Sequence, residues 1–435
     1  MMQIYLFLVF KLFIISNLSA SFLHVPVAAK HAILINAETG KILFGKQAEM
    51  KTPPASTTKI ATALLVLQKA TSLDEVVKSP LDCLIKIPKK LKIENRYQDP
   101  PYRLEPDGTS YGIFAGEKLT IRDLLHGMML CSGNDASNVL ASHFSNGKIE
   151  DFMEEMNLYL KKIGCQHTKF YNPHGLHFPT HVTTAKDLAI LAKEAIKNKE
   201  FLSIVGSVSY ERPRTNKQGP KLIWTTNRLL KKGPLFYSKA FGIKSGYHEN
   251  AGYNFVGAAK DQGRTLISVV LQCPTAVDAY KDTIKMFESA FMEKKLTRVL
   301  LNAEETLFST QVKGTKKILK ARILEDVIYE YYPSEEETLL PEVEWSHLTL
   351  PIKKEGLVGN LYVKNSQGQI LTKKEIYSMV TIKESLMKRL MKGVRFYHIL
   401  MALMLVIIPL ATLLIWEVIR HKDAEDLKKE ETTVL

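Results

Sequence analysis

The sequence predicts an α+β domain built on an antiparallel sheet with helices, then a small all-β domain and a C-terminal transmembrane helix. Three observations carry this. Glycine-punctuated, β-branched runs lie between Phe241 and Cys273, downstream of runs with apolar residues at helical spacing. Short strand-like pieces alternate with turns from about Leu296 to Ile382. From Phe396 to Trp416 the chain has no Asp, Glu, Lys or Arg. With 435 residues there is room for two domains and small appendages, and an apolar fraction of 46% supports real cores.

The first segment, residues 1–21, is apolar through Leu18 except for Lys11 and ends in Ser19-Ala20-Ser21. It reads as a secretion signal cleaved near Ala20 or Ser21. No Lys or Arg precedes its first apolar run, so an uncleaved anchor is the alternative.

The α+β domain is expected over 22–292. Pro53 and Pro54 can precede a helix but not continue one. Ser56 then opens Ser-Thr-Thr-Lys-Ile-Ala-Thr-Ala-Leu-Leu-Val-Leu at helical spacing. Lys59 falls one turn on, so its amine can reach the Ser56 hydroxyl. Serine needs an adjacent base, and lysine is a base only when neutral. A second cation nearby favours the neutral form, and Lys244 is a candidate. On its own, the string reads more simply as an N-cap serine beside a solvated lysine.

Thr120 with Asp123 resembles a capping box opening the next helix. Gly133 breaks that helix, and another starts near Asn134 or Asp135. Ser132-Gly133-Asn134 is then a tight connection between two helices, which on local grounds is an ordinary turn. The segments around Lys244-Ser245-Gly246, Ala251–Ala259 and Thr265–Leu271 read as successive antiparallel strands. A lysine and a serine on a strand edge can bind a carboxylate, or merely face solvent.

In this order the three strings resemble the Ser-x-x-Lys, Ser-x-Asn and Lys-Thr-Gly motifs of penicillin-binding proteins and class A β-lactamases. The flanks SGNDASNVLA, EEMN, TKFYNPHGL with HVTTAKDLA, and GIKSGYHENAGYNFVGAA are similar to the D-alanyl-D-alanine carboxypeptidases. AILINAETGKILFGK fits their opening hairpin, and the resemblance runs from about Ala29 to about Ser385. It implies a penicillin-binding/β-lactamase-like fold, with Ser56 as nucleophile, Lys59 as general base and Ser132 as proton relay to the leaving D-alanine. Asn134 forms the opposite wall with Ser132. Lys244 and Ser245 hold the terminal carboxylate, and the N–H groups of Ser56 and Tyr247 form the oxyanion hole. Gly246, Tyr247 and His248 complete the substrate-binding set. The resemblance further implies peptidoglycan stem peptides ending in D-Ala-D-Ala as substrates, and β-lactam antibiotics as acylating ligands.

This chain departs from the family's pattern at several points. Ser245 replaces a threonine and keeps the hydroxyl. His248 also stands where threonine is usual. After Cys273 many relatives carry a substrate-binding arginine, whereas Lys281 is the only cation near that point here. The stretch Pro80–Gly108, with Lys86, Lys89, Lys90, Lys92, Arg96 and Arg103, reads as a solvated insertion, with a cleft-edge loop as the alternative.

Beyond the catalytic domain, 293–382 resembles the family's small β-domain and suggests a spacer or docking role. In 383–395, Leu386, Met387, Leu390, Met391 and Val394 share one helical face, with Lys388, Arg389, Lys392 and Arg395 away from it. That pattern suits a membrane-surface helix contacting lipid. A transmembrane helix follows over 396–419, then a polar tail over 420–435. The expected location is an exported enzyme anchored in the cytoplasmic membrane, its catalytic domain outside; the Lys/Arg balance across the span does not decide orientation.

A net charge of +14 fits anionic lipid and wall polymers, and no aromatic-basic motif for nucleic acid accompanies it. Cys83, Cys131, Cys165 and Cys273 allow three disulfide pairings, and Cys131 reads as a buried free thiol. No Cys or carboxylate completes a metal set with His174, His177 and His181. His181 is expected to brace the site, and no cofactor or metal is expected. The function expected is D,D-carboxypeptidase, the alternatives being D,D-endopeptidase action on cross-links and a non-catalytic wall-binding scaffold. A β-lactamase fits less well, since no glutamate presents itself to activate a deacylating water.

Overall fold

A computed structural model describes residues 22–313 and 315–431, which leaves the expected signal segment outside the described residues. The chain forms two compact units. One holds the described residues up to Leu296 together with Tyr331–Glu336, and the other holds Thr297–Glu330 and the described residues from Glu337 on.

The first unit opens with the hairpin β1 (His31–Asn36) and β2 (Ile42–Lys46). A 3-10 turn, Ala55–Thr58, runs straight into α1 (Lys59–Lys69), so Ser56 sits one turn before the α-helix proper. Then come β3 (Val76–Lys78), α2 (Lys89–Glu94), β4 (Lys118–Thr120), α3 (Ile121–Met129), α4 (Asn134–Phe144), α5 (Ile149–Lys162), α6 (Ala185–Ala195) and α7 (Lys199–Gly206). The expected capping box is present on α3: Thr120 accepts from Asp123 N and Asp123 accepts from Thr120 N. The unit ends with β5 (Ser209–Arg212), β6 (Lys221–Trp224), β7 (Ala240–His248), β8 (Gly252–Asp261), β9 (Arg264–Cys273) and α8 (Ala276–Phe291).

Its main sheet is antiparallel, ordered β2-β1-β9-β8-β7, which makes β7 an edge strand. Strand periodicity divides the side chains between two cores. Ile33 and Ile35 of β1, with Ile267, Val269 and Leu271 of β9, join the core that includes α1 and α3–α7. Ala32 and Leu34, with Leu266 and Val270, join a second core with Phe287 and Phe291 of α8. Both faces are covered, which is why β9 reads as a nearly continuous apolar run rather than an alternating one. Tyr331–Glu336 belongs with this unit through Arg264 Nε, which donates to Glu335 at 3.0 Å, and Ser334 N, which donates to Glu293 at 2.7 Å.

The second unit contains β10 (Leu296–Leu301), β11 (Leu307–Gln311), β12 (Ile318–Arg322), β13 (Val327–Tyr331), β14 (Leu340–Trp345), β15 (Leu357–Lys364) and β16 (Ile370–Ser378). Five of these form an antiparallel sheet ordered β11-β12-β16-β15-β14 over a core of Leu319, Ala321, Val358, Leu361, Val363 and Ile376. A single helix, α9 (Leu386–Glu431), then covers the segment expected at the membrane surface, the apolar stretch and the start of the tail without interruption. No proline separates the first two, and Gly393 alone does not stop a helix. Pro409 lies inside it, and the Thr412 hydroxyl donates to the Pro409 carbonyl at 2.8 Å. The stretch Gly393–Lys422 is long enough to cross a bilayer and has a mean hydropathy of 2.7 in its apolar window. Of the apolar face expected before it, Leu390, Met391 and Val394 are exposed, while the side chains of Leu386 and Met387 lie outside the described residues.

Candidate active site

All nine residues singled out from the sequence meet in one region of the first unit. A cleft of about 710 Å³ is lined by Ser56, Ser132, Asn134, Ser245, Gly246, Tyr247 and His248, among others. Lys59 and Lys244 lie beneath, 0% and 1% exposed.

Lys59 is the centre of the geometry. Its Nζ is 2.9 Å from Ser56 Oγ, 2.8 Å from Asn134 Oδ1 and 2.6 Å from the His174 carbonyl. The last two groups are acceptors only. A neutral amine has two donors and one lone pair. It therefore donates to Asn134 and His174 and turns its lone pair to the Ser56 hydroxyl. Burial, and then the Lys244 charge, hold the Lys59 pKa well below that of an ordinary lysine. Burial likewise lowers Lys244 to about 8. Its Nζ donates to the Ser245 carbonyl at 2.9 Å, while Ser245 Oγ stands 3.3 Å from Thr226 Oγ1.

Close backbone approach sets up the nucleophile. A Cβ on Gly246 would lie 2.8 Å from Ser56 N, so glycine lets β7 press against the Ser56 turn. A Cβ on Gly175, at φ +88 in the left-handed region, would lie 1.9 Å from the Ala55 carbonyl. Ala55 itself has φ +50. Ser132 has φ +63, is 7% exposed and lies in the break between α3 and α4. Positive φ at a buried non-glycine residue is strain that the surroundings must hold. Here the Thr109 hydroxyl donates to the Ser132 carbonyl at 2.6 Å. Asp135 Oδ1 accepts from Tyr111 N at 2.7 Å, and Asp135 Oδ2 accepts from the Ser110 hydroxyl at 2.6 Å.

Two buried histidines act as fixed neutral struts. His181 Nδ1 accepts from Tyr171 N at 3.1 Å, so Nε2 carries the hydrogen and donates to Thr58 Oγ1 at 2.9 Å. Thr58 passes this on to the Ala55 carbonyl at 2.9 Å. Burial lowers His181 to about 3. His174 Nδ1 accepts from Leu176 N at 3.1 Å, and Nε2 donates to the Tyr102 carbonyl at 3.1 Å. His177 stands apart, on the cleft wall, its ring centroid 5.6 Å from that of His248. The three histidines thus serve three different places.

Other expectations need correction. The insertion Pro80–Gly108 is not a solvated loop: Lys89, Glu105, Asp107 and Gly108 line the cleft. Its excess of lysine misleads because several of the charges are paired. Lys92 meets Glu105 at 3.1 Å, Arg103 meets Asp82 at 2.7 Å, and Lys89 meets Glu249 at 2.6 Å. Asn138 Nδ2 of α4 ties it down through the carbonyls of Cys83 and Tyr102. Lys281 is exposed and does not line the cleft. The guanidinium there is Arg228, which sequence reading missed because it lies before the strand, in a turn with no pattern of its own. All four cysteines are free, and Cys131 is half-buried rather than buried.

The arrangement can perform acyl transfer: a serine with a neutral lysine base, two N–H groups at Ser56 and Tyr247, and a cationic end for a carboxylate. The D-alanyl-D-alanine carboxypeptidase family model matches residues 19–275, more than half of the chain. The chain belongs to the D-alanyl-D-alanine carboxypeptidase family. It is therefore a serine-type peptidase of the penicillin-binding class that works through an acyl-enzyme. It is 30% identical over 366 residues to the carboxypeptidase DacF of Bacillus subtilis, covering 83% of this chain and 86% of that one. It is 33% identical to DacC of Escherichia coli over 282 residues, 62% of this chain and 61% of DacC. Among solved structures, the Streptomyces K15 DD-transpeptidase is similar, with a TM-score of 0.53 and 28% identity over 61% of this chain and 98% of its own. DacD of Francisella tularensis shares the fold, with a TM-score of 0.55 at 21% identity over 84% of this chain and 96% of its own.

Proposed function

We propose that this carboxypeptidase removes the terminal D-alanine from peptidoglycan stem pentapeptides, with Ser56 as nucleophile and Lys59 as general base. The observation that carries the reading is the Lys59 amine, buried, held off its charged form and 2.9 Å from Ser56 Oγ. Lys59 takes the Ser56 proton as Oγ attacks the penultimate carbonyl. The N–H groups of Ser56 and Tyr247 stabilise the oxyanion. Ser132 returns a proton to the departing amine of D-alanine, and Asn134 holds both Lys59 and the acyl chain. Lys244, Ser245 and Arg228 bind the terminal carboxylate, supported by the cationic character of that end of the cleft. Gly246 gives the substrate backbone access to β7, and Tyr247 and His248 flank the acyl portion. Water then hydrolyses the ester, leaving the tetrapeptide.

A β-lactam presents the same acyl position to Ser56 and keeps its leaving group attached, so its acyl-enzyme persists. We assign the membrane anchor to α9, with lipid around Gly393–Lys422, and the catalytic domain to the outer face. The sheet β11-β12-β16-β15-β14 then serves as spacer or docking domain. A labelled penicillin tests the assignment of the nucleophile. One equivalent on the peptide bearing Ser56, and none on Ser56→Ala, is the expected result; labelling at another residue contradicts it.

A further inference from the structure

We propose that Glu249 is a specificity residue for a free side-chain ammonium on the substrate residue just before the D-Ala-D-Ala end, and that Lys89 occupies its place in the empty enzyme. This rests on the carboxypeptidase reading of the cleft.

β7 is an edge strand, so its outer backbone groups are open to an extended peptide. Lys244, Ser245 and Arg228 mark the end that takes the terminal carboxylate. The Tyr247 N–H receives the scissile carbonyl, which sets the penultimate residue level with Tyr247. A strand advances about 3.3 Å per residue, so in an antiparallel peptide the preceding residue lies level with His248 and the turn after it. That turn carries Glu249, which lines the cleft together with Lys89 of α2.

Lys89 Nζ donates to Glu249 Oε2 at 2.6 Å. An ammonium on a four-carbon stem thus already sits where a substrate amine would arrive. Both side chains are solvent-accessible, 36% and 81% exposed, so the pair holds weakly and exchanges readily. Glu105 and Asp107 are the other carboxylates lining the cleft. Glu105 is engaged by Lys92 at 3.1 Å, and His177 and His248 are both shifted towards their neutral forms by burial. A substrate ammonium can displace Lys89 and keep the ion pair; an acylated, neutral amine cannot. The substrate class selected is a stem peptide whose diamino acid is not yet cross-linked through that amine.

The test uses the full chain in detergent and two peptides ending in Lys-D-Ala-D-Ala, one with a free and one with an acetylated lysine side chain. D-Alanine release is the readout. The parent is expected to prefer the free amine about three- to fivefold in kcat/KM, and the preference should shrink at high salt. Glu249→Gln should bring the ratio of the two peptides to about one. Lys89→Met should raise the ratio by lowering KM for the free-amine peptide. A parent with no preference, or a Glu249→Gln variant that keeps it, overturns the proposal. Release from the acetylated peptide in those cases leaves the carboxypeptidase reading standing. Absence of release from both peptides by the parent would overturn that reading and this subsite together.

Discussion

Lys59 Nζ lies 2.9 Å from Ser56 Oγ, and its other two directions end on Asn134 Oδ1 and the His174 carbonyl. Only the neutral amine can accept the serine proton in this arrangement. The Lys59 pKa is lowered by burial and by Lys244, so the base becomes available at lower pH than an ordinary lysine permits. As pH falls through that lowered value Lys59 gains a proton and the lone pair is lost. Acylation of Ser56 by a chromogenic β-lactam should therefore slow steadily from neutral to acid pH. Lys59→Arg, permanently charged, should slow it by roughly 10²–10⁴-fold where the parent's lysine is neutral, with the gap closing as that lysine protonates. A flat profile in the parent contradicts a lysine base.

Lys244 sets function against stability. Its folded pKa of about 8 lies below the ordinary 10.5 of an exposed lysine. The sign follows: the relative stability is full above about 10.5 and is lost as pH falls to about 8. Below that, both folded and unfolded chains carry the charge and the buried cation remains a fixed cost. Lys244→Met should raise Tm by about 2–5 °C at neutral pH while lowering kcat/KM by about 100-fold. A lower Tm would show that the ammonium is better compensated than its burial suggests.

The two glycines make different predictions. Gly175→Ala sets a Cβ 1.9 Å from backbone, at a residue already in the left-handed region, and should cost about 3 kcal/mol or more by chemical denaturation. Gly246→Ala pushes β7 away from Ser56 N, so it should spare the fold but slow acylation by about 10²-fold. Equal losses of stability in both variants would contradict this division.

The chain His181–Thr58–Ala55 places the nucleophile's turn. His181→Ala and Thr58→Val break the same link, so each should slow acylation by about tenfold and the double variant by no more than the worse single one. Additive losses would mean the two side chains act separately. His181→Gln, which keeps a donor near Nε2, should recover part of the rate.

Legibility in the sequence followed the range of the interaction. The Thr120–Asp123 box is local and was readable from spacing, whereas Ser56 and Lys59, one turn apart, read more simply as a cap and a solvated lysine until the family resemblance was added; Lys59 is in fact fully buried. The start of α4 at Asn134 followed from Gly133. Ser132, Lys244 and their meeting with Lys59 were readable only through the family resemblance, because no local pattern joins positions so far apart. The His174 carbonyl was invisible, since any residue supplies a carbonyl. The insertion was misread because its lysines were counted without their partners, one of which, Glu249, lies 160 residues on. Arg228 had no motif around it, and α9 ran through a boundary that composition suggested but no helix breaker enforced.

The most direct measurement is D-alanine release from a peptide ending in Lys-D-Ala-D-Ala by the full chain, beside its Ser56→Ala variant. Release by the parent and none by the variant is the predicted result. Equal release from both, or none from a folded parent, would contradict the central claim that Ser56 cleaves the D-Ala-D-Ala bond.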